Sequence, residues 1–99
     1  MRTMLKVTIP VEAGNRAIKD GTLGKIIEAT IAKLKPEASY FVADEGIRSA
    51  MFFFDMKDSS EIPVIAEPLF VKLDAKVEFY PAMNGADLQK GLAAAMQAM

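Results

Sequence analysis

A chain of 99 residues, 52% hydrophobic and 25% charged, is one small domain, apolar enough for a core and too apolar for intrinsic disorder. Its net charge is −1 and its lysines are scattered from Lys6 to Lys90, which argues against a nucleic-acid partner. Cysteine and histidine are both absent, so disulfides, thiol or imidazole catalysis and Cys- or His-ligated metal or haem are excluded within one chain.

The start, Met1-Arg2-Thr3-Met4-Leu5-Lys6, carries charge at both ends of a short run and does not read as a signal peptide. No segment approaches the ~20 apolar residues of a membrane span. A cytoplasmic location is expected. Met4 to Ile9 alternates and stops at Pro10, so it predicts a first strand with Leu5, Val7 and Ile9 on one face and Lys6 and Thr8 on the other. From Gly14 to Leu34 the period changes towards 3.6, with Ile27, Ile31 and Leu34 on one stripe. Asp20-Gly21 and Gly24 interrupt this helix, which bends or splits near Thr22, and Pro36 closes it.

Ala38 to Ala43 predicts a second strand, Asp44-Glu45-Gly46 an acidic turn, and Ile47 to Met56 a third strand completing a hairpin. Lys57 to Glu61 offers caps for a helix from Ile62 to Leu73. Pro63 suits its first turn, whereas Pro68 is expected to break it into two short turns. Lys76 to Tyr80 alternates and ends at Pro81, a fourth strand. Asn84-Gly85-Ala86-Asp87 caps a last helix with Leu88, Leu92, Ala95, Met96 and Met99 on one side. The order is β-α-β-β-α-β plus a C-terminal helix, a single α+β domain over residues 1–99 of ferredoxin-like pattern with a four-stranded antiparallel sheet.

The most informative run is Met51-Phe52-Phe53-Phe54. Side chains on a strand point alternately to opposite faces, so an unbroken apolar run needs cover on both. The helices of so short a chain cover one. If they cover Leu5, Val7, Ile9, Phe52, Phe54, Val77 and Phe79, the open face displays Lys6, Thr8, Met51, Phe53, Asp55, Glu78 and Tyr80, joined by Tyr40 and Val42. Monomers seldom expose such a patch. A second copy of the chain or a ligand is the expected cover.

This element order and the two-faced third strand resemble the dimeric α+β barrel superfamily, in which two ferredoxin-like subunits pack sheet against sheet. The stretches Ile62-Pro63-Val64-Ile65-Ala66-Glu67-Pro68-Leu69-Phe70 and Ala75-Lys76-Val77-Glu78-Phe79-Tyr80-Pro81 look like small uncharacterised members of it. The resemblance implies a homodimer with a cavity inside the barrel or between sheet and helices. The superfamily includes cofactor-independent monooxygenases, haem-degrading enzymes and small isomerases. The haem-using branches rely on a coordinating His, and the antibiotic-biosynthesis monooxygenases on Trp, Asn and His. This chain lacks both Trp and His.

Lys6 and Glu78 are expected to face each other, as an acid/base pair at a pocket or, the preferred reading, as an ion pair on the sheet or at a dimer rim. Tyr40, Tyr80 and Asp55 are candidate polar contacts for a small ligand among apolar side chains such as Phe53; tyrosine also sits in cores with its hydroxyl at the edge. Arg48 binds an anion or pairs with Asp44 or Glu45, the second being preferred. The acidic residues Asp44, Glu45, Asp55, Asp58 and Glu61 do not follow an EF-hand spacing and read as turn and cap residues. Gly21-Thr22-Leu23-Gly24-Lys25 is not a phosphate loop, because Ile26 follows the lysine; its glycines read as letting a helix lie close to the sheet. The last helix reads as packing on the partner subunit. The leading expectation is a homodimer that binds a small apolar or aromatic molecule, with no cofactor and no metal. The alternatives are a cofactor-independent monooxygenase or isomerase using Tyr40, Tyr80, Lys6 or Glu78, and a purely structural assembly module.

Overall fold

Four strands and four helices follow one another in the computed structural model, which describes residues 1–99. They are β1 (Arg2–Thr8), α1 (Val11–Lys19), α2 (Thr22–Leu34), β2 (Ala38–Asp44), β3 (Ile47–Asp55), α3 (Glu61–Leu73), β4 (Lys76–Pro81) and α4 (Gly85–Ala98). All pairings are antiparallel and the sheet order is β2-β3-β1-β4. The α+β class and the four-stranded antiparallel sheet are as the sequence predicts, and the arrangement is compatible with a ferredoxin-like fold. No helix is long and apolar enough to cross a membrane.

The core follows from strand parity. Leu5, Val7 and Ile9 from the first strand region and Phe52 and Phe54 from β3 are buried against Leu34 of α2 and Ile65, Leu69 and Leu73 of α3. Val77 and Phe79, expected in this set, pack against it only half-buried because β4 is an edge strand. Thr3 is fully buried in the same layer, its hydroxyl donating to the Met1 carbonyl at 3.0 Å. No buried side-chain nitrogen or oxygen lacks a hydrogen-bond partner.

Two helices occupy the region read as one. The first begins at Val11, just after Pro10, rather than at Gly14, and ends at Lys19. Gly21, at φ 78°, turns the chain, and the Asp20 carboxylate accepts from the Thr22 amide (3.0 Å) and hydroxyl (2.7 Å) to start α2. Those bonds hold the Asp20 carboxyl below its ordinary range. The glycines of this segment do not serve close packing: nothing lies within 4 Å of a Cβ built on Gly21 or Gly24. The close approach is at Gly14, where a Cβ would meet the Arg48 guanidinium at 2.6 Å. In the β2–β3 hairpin, Glu45 (φ 52°) and Gly46 (φ 78°) both adopt the left-handed conformation, as a two-residue turn of strand-compatible twist requires.

Pro68 does not break α3, which runs unbroken over 13 residues. A proline inside a helix orphans the carbonyl four residues earlier. Here that carbonyl belongs to Val64 and accepts from the Lys33 ammonium of α2 at 3.0 Å, so a neighbouring helix satisfies it.

The last helix is capped as its sequence predicts. The Asn84 side chain accepts from the Asp87 amide at 2.8 Å, while the Asp87 carboxylate accepts from the Asn84 amide at 3.0 Å. Beyond this first turn the helix stands off the body and buries no residue. The molecule measures 55 × 28 × 19 Å with a radius of gyration of 15.9 Å. A compact domain of this length has a radius of gyration of about 13 Å, and the projecting helix accounts for the difference.

Candidate functional site

The register assembles the open face of the sheet row by row. Met4 lies between Phe53 and Tyr80, Lys6 between Met51 and Glu78, and Thr8 between Ser49 and Lys76. Across β3, Ala38 stands opposite Phe53, Tyr40 opposite Met51 and Val42 opposite Ser49. Tyr40 is 58% and Tyr80 42% exposed, and Met4, Met51 and Phe53 are half-buried. The Tyr40 ring meets Phe53 edge-on, with centroids 6.4 Å apart. By register all six expected site residues, Lys6, Tyr40, Phe53, Asp55, Glu78 and Tyr80, share this face, with Asp55 at its end opposite Arg2. Met4 belongs there too; the expected strand begins at Met4, whereas β1 begins at Arg2 and sets Met4 well inside the sheet.

The polar groups of the face are paired, though not as expected. Lys6 and Glu78 are direct cross-strand neighbours, yet the Lys6 ammonium reaches Asp44 at 2.5 Å, diagonally across β3. The small Ser49, on the same face between them, is buried. The Asp44 hydrogen bond raises the Lys6 pKa above its ordinary value. Glu78 instead accepts a short hydrogen bond from the Tyr80 hydroxyl, two residues on along the same strand face. Its other oxygen lies 4.0 Å from the Lys76 ammonium. Sequence reasoning missed Asp44 because a strand end was read as a turn; the hairpin register carries the signal.

The hydrogen bond to Glu78 raises the Tyr80 pKa. A phenol whose pKa is higher in the folded state stabilises the fold below the ordinary phenol value, and that contribution is lost as pH rises through the folded value. Ultraviolet titration should therefore show Tyr80 ionising above the ordinary phenol range, with Glu78→Gln lowering its midpoint. An unchanged midpoint in Glu78→Gln would remove this bond from the account.

Asp55 stands apart. At the end of β3 it accepts from the Met1 ammonium at 2.6 Å, a contact that lowers its carboxyl pKa. It borders a charged groove of about 660 Å³ between the strand ends and the start of α4. There Arg2 holds Glu37 (2.8 Å) and Asp87 (3.4 Å). Arg48 pairs with neither Asp44 nor Glu45; its guanidinium donates to the Asn15 side chain at 3.1 Å, drawn over Gly14 to the helix side. The remaining acidic residues of the third-strand region cap backbone: Asp58 accepts from the Ser60 amide and Glu61 from the amides of Lys57 and Asp58. No group of three or more acidic side chains converges to hold a metal ion.

None of the larger grooves is lined by Lys6, Tyr40, Phe53, Glu78 or Tyr80. The most apolar groove, of about 430 Å³, lies on the opposite side under the edge strand β2, where Phe41 is 55% exposed against Ile9, Leu23 and Ile27. The consecutive Tyr40-Phe41-Val42 has the same two-faced character as Met51 to Phe54, but Phe41 was not recognised as facing an uncovered surface. No protein-family profile, no curated protein sequence and no solved structure matches the chain.

Proposed function

We propose that two copies of this chain pack their open sheet faces together, as in a dimeric α+β barrel of ferredoxin-like subunits, and that the interior so formed binds a small apolar or aromatic molecule. The observation that supports this is the face itself: Met4, Tyr40, Met51, Phe53 and Tyr80 stand on a surface that no helix covers. Burying each large apolar side chain contributes roughly 1.5–3 kcal/mol. The polar groups there oppose burial only weakly, because Lys6 is already paired with Asp44 and Tyr80 with Glu78.

Binding is favoured over chemistry by the same pairings. Tyr80 is held neutral by its donation to Glu78, the reverse of what a phenolate base requires, and the Lys6 ammonium is held charged by Asp44. Apolar walls with a few oriented polar groups are the usual make-up of a small-molecule site. Sedimentation velocity together with native mass spectrometry of protein taken from its source cells tests the reading. The expected result is a dimer at micromolar concentration that retains a small organic molecule. A single subunit under those conditions, without added mass, would overturn it.

A further inference from the structure

We infer that the small molecule of the proposed interior is an organic cation, an apolar or aromatic body whose protonated amine seats at Glu78 and Tyr80. The inference rests on the binding dimer proposed above and names the chemistry of its ligand. The charges of the open face do not balance once that face is closed. Lys6 is joined to Asp44 at 2.5 Å, a complete pair. Glu78 has no such partner. The Lys76 ammonium stands 4.0 Å away on a side chain that is 72% exposed, whereas the Glu78 side chain is only 25% exposed. Tyr80 gives Glu78 a hydrogen bond but no charge. A carboxylate in that state is costly to take out of water, and two copies closing face to face take out two. A cationic occupant removes that cost, a neutral one leaves it, and an anionic one adds to it.

Hydrogen bonding points to the same charge. The one hydrogen of the Tyr80 hydroxyl is given to Glu78, so its oxygen presents only lone pairs. The Glu78 carboxylate is an acceptor throughout. The two groups thus accept and do not donate, and they match a ligand that brings N–H donors. Lys6 is the nearest donor on the face, and Asp44 draws its ammonium to the other side, towards β2. An anion site would need free cationic groups here. Arg2, at the end of the face, is already committed to Glu37 and Asp87.

Aromatic rings complete the site. In the register Phe53, Met4 and Tyr80 stand in one row across β3, β1 and β4. Two strand spacings set Phe53 and Tyr80 roughly 10 Å apart at the backbone, with the Met4 side chain between them. Tyr40 extends the Phe53 wall edge-on at 6.4 Å between centroids. Aromatic rings attract a cation more strongly than a neutral group of the same shape, and the attraction grows as water is excluded.

Probes of like size separate the ligand classes: phenethylamine and benzyltrimethylammonium as cations, phenethyl alcohol as the neutral and hydrocinnamate as the anion. Titration calorimetry gives their affinities, and sedimentation of the same samples gives the assembly state. Both cations should bind about tenfold or more tightly than the alcohol, and hydrocinnamate least. In protein with labelled methionine methyls, the signals of Met4 and Met51 should move and those of Met96 and Met99 should not. Glu78→Gln should cancel the preference for the amine over the alcohol. Tyr80→Phe should weaken phenethylamine more than benzyltrimethylammonium, which has no N–H to give. A dimer that binds the alcohol or hydrocinnamate as tightly as the cations, that binds no probe, or whose preference survives Glu78→Gln would overturn the cation and leave the dimer standing. The expected selectivity in a single subunit would keep the site and remove the dimer. A single subunit indifferent to every probe would end both.

Discussion

Phe52→Ala should lower the unfolding free energy of the subunit by about 3–5 kcal/mol, the usual loss for emptying a buried phenylalanine site. Phe52 is the largest fully buried side chain, set opposite Leu5 and Ser39 at the centre of the sheet. Its ring also meets Phe41 edge-on at 5.9 Å between centroids. The site cannot collapse easily, because strands flank it on both sides and helices close it from above. A domain of this kind has about 5–15 kcal/mol of stability in all, so the variant should be partly unfolded near physiological temperature. Urea unfolding at several protein concentrations measures it, since the subunit's own loss does not depend on concentration. A change below about 1 kcal/mol would mean that the helix layer does not seal this face.

Phe53→Asp should do the opposite at the next residue: leave the subunit folded and raise the dimer dissociation constant by at least about a hundredfold. Phe53 is half-buried on the open face, between Met4 and Ala38 and against the Tyr40 ring. Replacing it removes a large apolar contact and sets a carboxylate where water would be expelled. A two-fold axis makes each substitution count twice. Circular dichroism should be unchanged while sedimentation shows the single subunit. A variant that remains dimeric at micromolar concentration would show that this face is not where copies meet.

The contrast between these neighbours was legible in the sequence because it depends on strand parity alone. Parity separates Phe52 and Phe54 from Met51 and Phe53 before any fold is known, and it places Leu5, Val7 and Ile9 with the former. The same logic put Lys6, Tyr40, Glu78 and Tyr80 on one surface. What parity does not carry is reach. Lys6 has Glu78 as its cross-strand neighbour, but a four-carbon stem lets its ammonium select Asp44 two strands away. Pro68 shows the same limit in a helix: local propensity predicts a break, and a lysine from another helix removes the reason for one. The glycines of the α1–α2 turn were attributed to packing, whereas Gly21 supplies a left-handed turn; a DG pair between apolar stripes was the available signal. The exposure of Phe41 depends on where the first turns of α2 lie relative to an edge strand, which spacing along the chain does not encode.

That edge strand has a consequence for handling the protein. From Ala38 to Ala43 the rim of the sheet offers unpaired amide and carbonyl groups with no charged residue and no proline, and Tyr40, Phe41 and Val42 lie bare along it. Rims of that composition zip onto one another. Subunits held apart, by dilution into mild denaturant or by a substitution such as Phe53→Asp, will be the form that precipitates on standing.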